Sequence, residues 1–176
     1  MPDGKKAPVK AGTPGEVILD FSQVKPFEPL DPSSRYLIRC TKLDISKSAQ
    51  GKPKSHCELT IEAPSEVQVE EWVPDEDIEG GMRKVGMLTD KDGNPVMTRA
   101  KGRLLFREFS LEPQALPFLY EFIKAVDPGA KLDESFRYNP NNYMGLTAAC
   151  TIQNEAYGEQ VRARVRRMYP ASTYKA

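Results

Sequence analysis

One stretch of this chain has the apolar spacing of a helix, and the segments on either side of it alternate with the period of a strand. Phe118, Leu119, Phe122, Ile123 and Val126 recur at three- and four-residue spacing, which gathers them on one helical face. Pro117 suits a first helical position, where its missing N–H costs nothing, and Asp127-Pro-Gly129 stops the run. Before the helix, Tyr36–Ile45 has strong β composition with mixed alternation. Cys57, Leu59, Ile61 and Ala63 then alternate with Glu58, Thr60 and Glu62, and a third strand is expected at Arg103–Leu111. After the helix, Met144–Asn154 places Leu146, Ala148, Cys150 and Ile152 inward and Thr147, Ala149, Thr151 and Gln153 outward. Glu155–Glu159 turns the chain into a last strand, Gln160–Tyr169.

Three strands, a helix and a two-strand hairpin is the order of the OB-fold, a five-stranded Greek-key barrel with its helix between strands three and four. The expected class is therefore mainly β and OB-fold-like; a β-sandwich with one inserted helix is the alternative. At 176 residues the chain supports one domain. Residues 1–34 read as a flexible basic arm, with Val17–Phe21 as a short strand, followed by a proline-rich connector at Lys25–Pro32. Residues 35–170 form the domain, with an insertion at about 64–101, and 171–176 is a short tail without acids. Within the insertion, Val67 and Val69 suggest a strand, and Arg83–Thr89 and Val96–Lys101 read as hairpin arms around the turn Asp90–Pro95.

The formal net charge is zero, yet the charge is segregated. Glu62, Glu66, Glu70, Glu71, Asp75, Glu76, Asp77 and Glu79 follow one another with no Lys or Arg among them, so the rest of the chain is net positive. The acids read as a solvated loop, or as a surface that recruits a protein partner, or as a shield over the basic face. Trp72 in their midst points to core packing or a protein contact.

Catalytic signals are sparse, and the expected class is non-enzymatic. Cys40, Cys57 and Cys150 are widely separated, form no Cys-x-x-Cys pair, and read as buried free thiols of a reducing compartment. His56 is the only histidine; beside Cys57 on a strand it points to the opposite face, which is poor placement for a nucleophile and its base. Gly80-Gly81 lacks the Gly-Lys-Ser/Thr of a phosphate loop, and Asp75-Glu-Asp77 lacks the spacing of a calcium loop. No metal or cofactor is expected. No apolar run reaches membrane-spanning length, and the expectation is a soluble, cytoplasmic protein.

The candidate chemistry is nucleic-acid binding. In Gln160–Tyr169, Val161, Ala163 and Val165 point one way and Arg162, Arg164 and Arg166 the other, an arginine ladder with a step of roughly 6.6 Å. Arg is suited to bidentate phosphate contacts. The competing reading is the solvated face of a terminal strand. OB-folds bind ligands on the face of the second and third strands and on two loops, first-to-second and fourth-to-fifth. Here the first loop carries Lys47, Lys52 and Lys54, the second carries Tyr157, and the third strand carries Arg103, Phe106, Arg107 and Phe109. Cations that track a backbone and aromatics that stack bases are what sequence-tolerant single-strand binding needs. Phe106 and Phe109 face opposite ways, so one of them belongs to the core. Tyr157 reads otherwise as a cover for the barrel end, and the lysines as solubilising turn residues. Tyr138 and Tyr143, around Asn139-Pro-Asn-Asn142, read as a cap on the barrel.

The run Tyr36-Leu-Ile-Arg…Lys42…Ser46-Lys-Ser, the strand Glu58–Glu62, Gly102-Arg-Leu-Leu-Phe106, the helix Ala115–Val126, and Tyr143-Met-Gly145…Glu155-Ala-Tyr-Gly158 resemble a family of small bacteriophage replication- and recombination-associated proteins. The resemblance spans 35–169, interrupted by 64–101. It implies an OB-like fold and single-stranded DNA binding in phage replication or recombination, in the infected host's cytoplasm, and it supplies no catalytic residues. The family's usual relatives end in an acidic tail that recruits replication proteins. Tyr169–Ala176 contains no acid, so the internal acids Glu62–Glu79 take that role on this reading. Two alternatives stand beside DNA binding: an assembly module working through the acidic insertion and Trp72, and a DNA-mimicking inhibitor of a host enzyme. A homo-oligomer through open sheet edges is also compatible.

Overall fold

The computed structural model describes Gly15 and residues 28–79 and 81–176. The basic arm, the short strand at Val17–Phe21 and most of the connector lie outside the described residues. Among the described residues nine strands and one α-helix follow in order: β1 (Tyr36–Lys47), β2 (Pro53–Ala63), β3 (Glu66–Gln68), β4 (Glu70–Pro74), β5 (Met82–Met87), β6 (Met97–Arg99), β7 (Leu104–Ser110), α1 (Leu116–Val126), β8 (Thr147–Tyr157) and β9 (Gln160–Pro170). The main sheet has five antiparallel strands in the order β7-β2-β1-β8-β9, with α1 between β7 and β8 in sequence. The fold is mainly β, with the expected three strands, helix and hairpin. Its edge strands β7 and β9 approach one another but share no ladder among the described residues.

Strand β1 serves two partners because it bends. Tyr36–Arg39 pair with Thr147–Cys150 of β8, while the ladder to β2 runs on to Lys47↔Pro53. Irregularities interrupt the β2 register at Leu37/Ile38, within the stretch paired with β8, and at Cys40/Lys42, just past it, as bulges that increase twist and bending would. The concave side is apolar: Tyr36, Ile38, Cys40, Cys57, Leu59, Ile61, Leu105, Phe109, Cys150 and Ile152 are all buried. Helix α1 closes it with Leu119, Phe122, Ile123 and Val126, and the Phe122 ring lies 5.1 Å from Phe109 and 6.1 Å from Tyr143. Tyr138 stacks on Tyr143 at 6.0 Å, and its hydroxyl is 2.7 Å from Ser55 Oγ. Burial pushes that hydroxyl up to about 12, and the pair packs against the core, with Tyr143 buried and Tyr138 partly buried.

Two details of the fourth strand differ from the sequence reading. The strand begins at Thr147, leaving Leu146 exposed in the preceding turn. Ala149, expected outward, is fully buried, because it sits between the larger Leu37 and Tyr169 on the flanking strands. The three cysteines are buried and unbridged; Cys40 Sγ and Cys57 Sγ are 3.9 Å apart.

The insertion is built differently from the expected hairpin. The turn at 90–95 forms: the Asp90 carboxylate accepts from the backbone N–H of Asp92 and Asn94, and Gly93 takes a φ of 84°. Its arms, however, meet only through a bridge at Thr89↔Pro95 and a bond from Val96 N–H to Leu88 C=O. Strand β6 pairs with β3, and β5 pairs with β4, so the run 66–74 lies between the two expected arms. Val67, Val69 and Ala100 are buried, and the insertion belongs to the folded body.

The anchor is Glu70, which the sequence reading counted among the solvated acids and which is only 1% exposed. Its Oε2 accepts from Asn154 Nδ2 at 2.6 Å and from Trp72 Nε1 at 2.8 Å. Lys84 Nζ stands 2.8 Å from Oε1 without the alignment of a hydrogen bond, supplying the countercharge. Asn154 Nδ2 also donates to Leu30 C=O at 2.7 Å, and Glu70 N–H donates to Pro29 C=O at 3.1 Å. Insertion, connector and β8 therefore share one polar node, and Trp72 is committed to it. Asn154→Ala should lower the unfolding free energy by roughly 1–3 kcal/mol, because it strips a donor from a buried carboxylate. Urea denaturation followed by tryptophan fluorescence measures this.

Candidate nucleic-acid interface

The β8–β9 hairpin presents the arginines outward. Val161, Ala163 and Val165 are half-buried, and Arg162, Arg164 and Arg166 are exposed. The ladder is less regular than the sequence alternation suggests. Thr151 pairs with Arg167 and Ile152 with Val165, so Arg166 is the extra residue of a bulge. Beyond it the phase inverts: Met168 turns inward, and Arg167 joins the exposed arginines. Arg167 Nε donates to Glu121 Oε1 of α1 at 2.7 Å.

The other members of the ladder differ in their partners. The Arg162 guanidinium lies 4.5 Å from the centre of the Tyr157 ring, and Tyr157 is 68% exposed at the turn. Arg164 Nη1 donates to Glu155 Oε2 at 3.0 Å. Arg166 makes no ion pair among the described residues. An exposed pair such as Arg164–Glu155 is worth about 0.2–1 kcal/mol, so a phosphate can displace the carboxylate at small cost.

Strand β7 divides its residues between core and surface. Phe106 is exposed on the outer side and Phe109 is buried in the core, which settles which of the two can stack a ligand. Arg107, expected to contact phosphate, instead points inward with Leu105 and Phe109. It is half-buried, its Nη1 donates to Val165 C=O of β9 at 3.4 Å, and burial draws its pKa below the usual guanidinium value. Phe109 and Phe118 flank it at 5.5 and 6.0 Å. Its inward direction follows from the period of two, since Leu105 and Phe109 both face the core. Arg103 is likewise half-buried: Nη1 donates to Glu28 C=O at 2.7 Å, and burial lowers its pKa too. It ties the connector to β7.

The three lysines of the first loop are not equivalent. Lys47 is exposed, with no ion pair among the described residues. Lys52 Nζ lies 3.1 Å from Glu112, and Lys54 Nζ lies 2.7 Å from Glu108 Oε1. These side chains line an open cleft of about 360 Å³ with Ser48, Gln50 and Ser110. The registers place this loop and the β8–β9 turn at opposite ends of the sheet, since β2 leaves β1 at Lys47↔Pro53 and β8 overruns the start of β1 at Tyr36↔Cys150. The predicted cations thus spread along the molecule.

What the structure brings together is the outer surface on either side of the β7–β9 seam. The bond from Arg107 to Val165 sets these two inward residues at one level. Their outward neighbours, Phe106 on β7 and Arg164 and Arg166 on β9, therefore flank the seam on the same surface. The sequence reading missed His56. It lies on the outer face of β2, stacked on Phe106 with ring centres 6.1 Å apart and planes inclined by 26°. Its phase opposite buried Cys57 was the available signal, and it was used only to dismiss a catalytic pair. Around these rings the surface is mixed, with Lys42 near Glu58 at 3.8 Å and Arg39 bonded to Glu62 at 2.7 Å.

The sequence matches no protein-family model and no curated protein. Among the described residues no cluster of side chains could hold a metal ion, and no helix is long and apolar enough to cross a membrane. Because Arg107 bridges the seam from inside, Arg107→Ala should destabilise the fold by roughly 1–3 kcal/mol through its lost hydrogen bond and packing. Chemical denaturation measures that loss. In salt titrations of any nucleic-acid binding, the variant should keep the wild-type slope.

Proposed function

We propose that this protein binds single-stranded DNA through an OB-like barrel, without sequence-specific readout of the kind duplex binders use. The observation that carries the reading is the juxtaposition of exposed Phe106 with the arginines of β9 across the seam, continued by the Arg162–Tyr157 pair at the turn. Single-strand binders combine a cationic track for the backbone with aromatic platforms for bases, each stacked base being worth about 1–3 kcal/mol. The strand order β7-β2-β1-β8-β9, with the helix before β8, supports the OB-like assignment. A role in phage replication or recombination, in the host cytoplasm, follows the resemblance of the strand and turn motifs.

On this reading Arg162, Arg164 and Arg166 neutralise phosphates, Phe106 and Tyr157 stack bases, and Lys47, Lys52 and Lys54 extend the track at the far end of the sheet. Arg103 and Arg107 hold the scaffold. A second reading gives the insertion a protein-contact role, favoured by Ile78, Val85 and Met97, large apolar residues that this segment exposes in addition to Glu76, Asp77 and Glu79. Deleting the insertion is not a clean test, since Glu70 and Val67 are part of the core.

Fluorescence anisotropy of labelled single-stranded and duplex DNA at several salt concentrations tests the first reading. Binding should prefer the single strand, and Arg162→Ser with Arg164→Ser and Arg166→Ser should flatten the log–log salt slope by about 2. Equal affinity and slope in the triple variant would remove the ladder from the interface and move attention to the exposed apolar residues of the insertion.

A further inference from the structure

We propose that the outer face of β2 and β7 is a base-reading surface that favours bases carrying an exocyclic amino group, with Glu58 and Glu108 as the acceptors. The inference rests on the single-strand reading above and assigns the two sides of the seam different parts of the ligand.

The face is built around two stacked rings. Phe106 is directly opposite Glu58 in the β2–β7 ladder, and His56 is directly opposite Glu108. Residues opposite one another on a face have Cβ atoms about 4.5–5.5 Å apart, so both carboxylates border the Phe106–His56 pair. His56 Nε2 lies 3.7 Å from Glu58 Oε1, and His56 Nδ1 lies 3.7 Å from Glu108 Oε1. The cations use the same oxygens: Lys42 Nζ is 3.8 Å from Glu58 Oε1, and Lys54 Nζ is 2.7 Å from Glu108 Oε1. The second oxygen, Oε2, of each carboxylate accepts no hydrogen bond among the described residues, and is available as an acceptor at the border of an exposed aromatic surface.

That arrangement sorts the ligand's groups. A phosphate placed over β2–β7 would meet Glu58, Glu62 and Glu108, each already paired with one cation (Lys42, Arg39 and Lys54), whereas over β9 it meets Arg162 and Arg166, which have no ion pair among the described residues, and Arg164, paired with Glu155. The backbone therefore runs on the β9 side, and the bases reach across the seam to Phe106. A base lying flat on that ring presents its edge to the carboxylates. Cytosine N4 and adenine N6 are donors and can bond an ionised carboxylate; the O4 of thymine or uracil is an acceptor and is repelled by it. The hydrogen bond that Glu108 accepts from Lys54 holds its pKa below the usual carboxylate value, which favours the ionised form. Loss of an acceptor matched to a donor is penalised more heavily than a bond between neutral partners, so the preference is read as a ratio of affinities.

The test is a comparison of oligo-dC with oligo-dU of equal length, by anisotropy at pH 7.5 and fixed salt. The two differ at the pyrimidine 4-position and its neighbouring ring nitrogen, and uracil lacks the methyl group that complicates thymine. Wild-type protein should bind oligo-dC at least about fivefold more tightly, the lower end of what a matched side-chain–base contact discriminates. Glu58→Gln with Glu108→Gln should bring the ratio near one, because each amide offers both a donor and an acceptor. The ratio is insensitive to the general gain in affinity from removing two negative charges. Phe106→Ala should also erase the preference, while the β9 arginines retain weaker, salt-sensitive binding of both oligomers. Equal or tighter binding of oligo-dU by the wild type would overturn the base-reading face and leave the single-strand reading standing. No binding of either oligomer would overturn both.

Discussion

A carboxylate buried to within 1% of full exclusion organises this molecule more than any other single group. Isolated in an apolar interior, Glu70 would cost far more than any surface ion pair returns. It is tolerable only with Asn154, Trp72 and Lys84 in place around it. Those partners come from β8, β4 and β5, and Asn154 also grips the Leu30 carbonyl just before β1. The geometry of this polar node fixes how the insertion seats against the end of the sheet from which it departs. Glu70 itself is therefore not part of a freely solvated acidic loop, and Asp75–Glu79 extend from that anchorage in the turn between β4 and β5. The insertion's other ion pair among the described residues, Arg83 with Asp75, is internal as well.

The second constraint is the seam. A five-stranded sheet that curls without pairing its edges leaves backbone groups of β7 and β9 to be satisfied by other means. Arg107 supplies one bond across the gap and fills it with its own stem between Phe109 and Phe118. A guanidinium suits the position because it stays charged even when partly desolvated and can lie against aromatic rings. The same contact fixes the relative level of β7 and β9, and so decides that Phe106 and the β9 arginines face outward side by side. Scaffold and candidate interface are two faces of the same pair of strands.

How much of this was legible in the sequence follows from the range of the interactions involved. Strand and helix identities came from local periodicity, and the five main strands with their helix appear where alternation and spacing put them. That Phe106 and Phe109 face opposite ways followed from parity alone; which of them is buried did not. Glu70 did not, because its burial depends on Asn154, which is 84 residues away in the chain. The pairing of β3 with β6 and β4 with β5 was missed for a similar reason: a strong turn at 90–95 implied adjacent arms, and the run 66–74 lies between them. Arg107 was misplaced by weighing its charge over its phase. The bulge at Arg166 has no local signature, since Arg166 and Arg167 are the same residue type and either could be the extra one.

Charge balance over the outer surface bears on what such a protein can hold. Lys52, Lys54, Arg39 and Arg164 each have a carboxylate partner, so the surface around them is close to neutral overall. Neutral pairs at the surface do not forbid a polyanion: each is worth under about 1 kcal/mol, and the acid can swing into solvent when phosphate takes its place. They do limit the field at a distance, so steering of any polyanion should come from cations with no ion pair among the described residues, such as Arg166 and Lys47. Acids that border aromatic rings act differently, because a base, unlike a phosphate, has donors to offer them. On that logic the mixture of glutamates with arginines and aromatics need not oppose nucleic-acid binding; it gives backbone and bases separate places on the same surface.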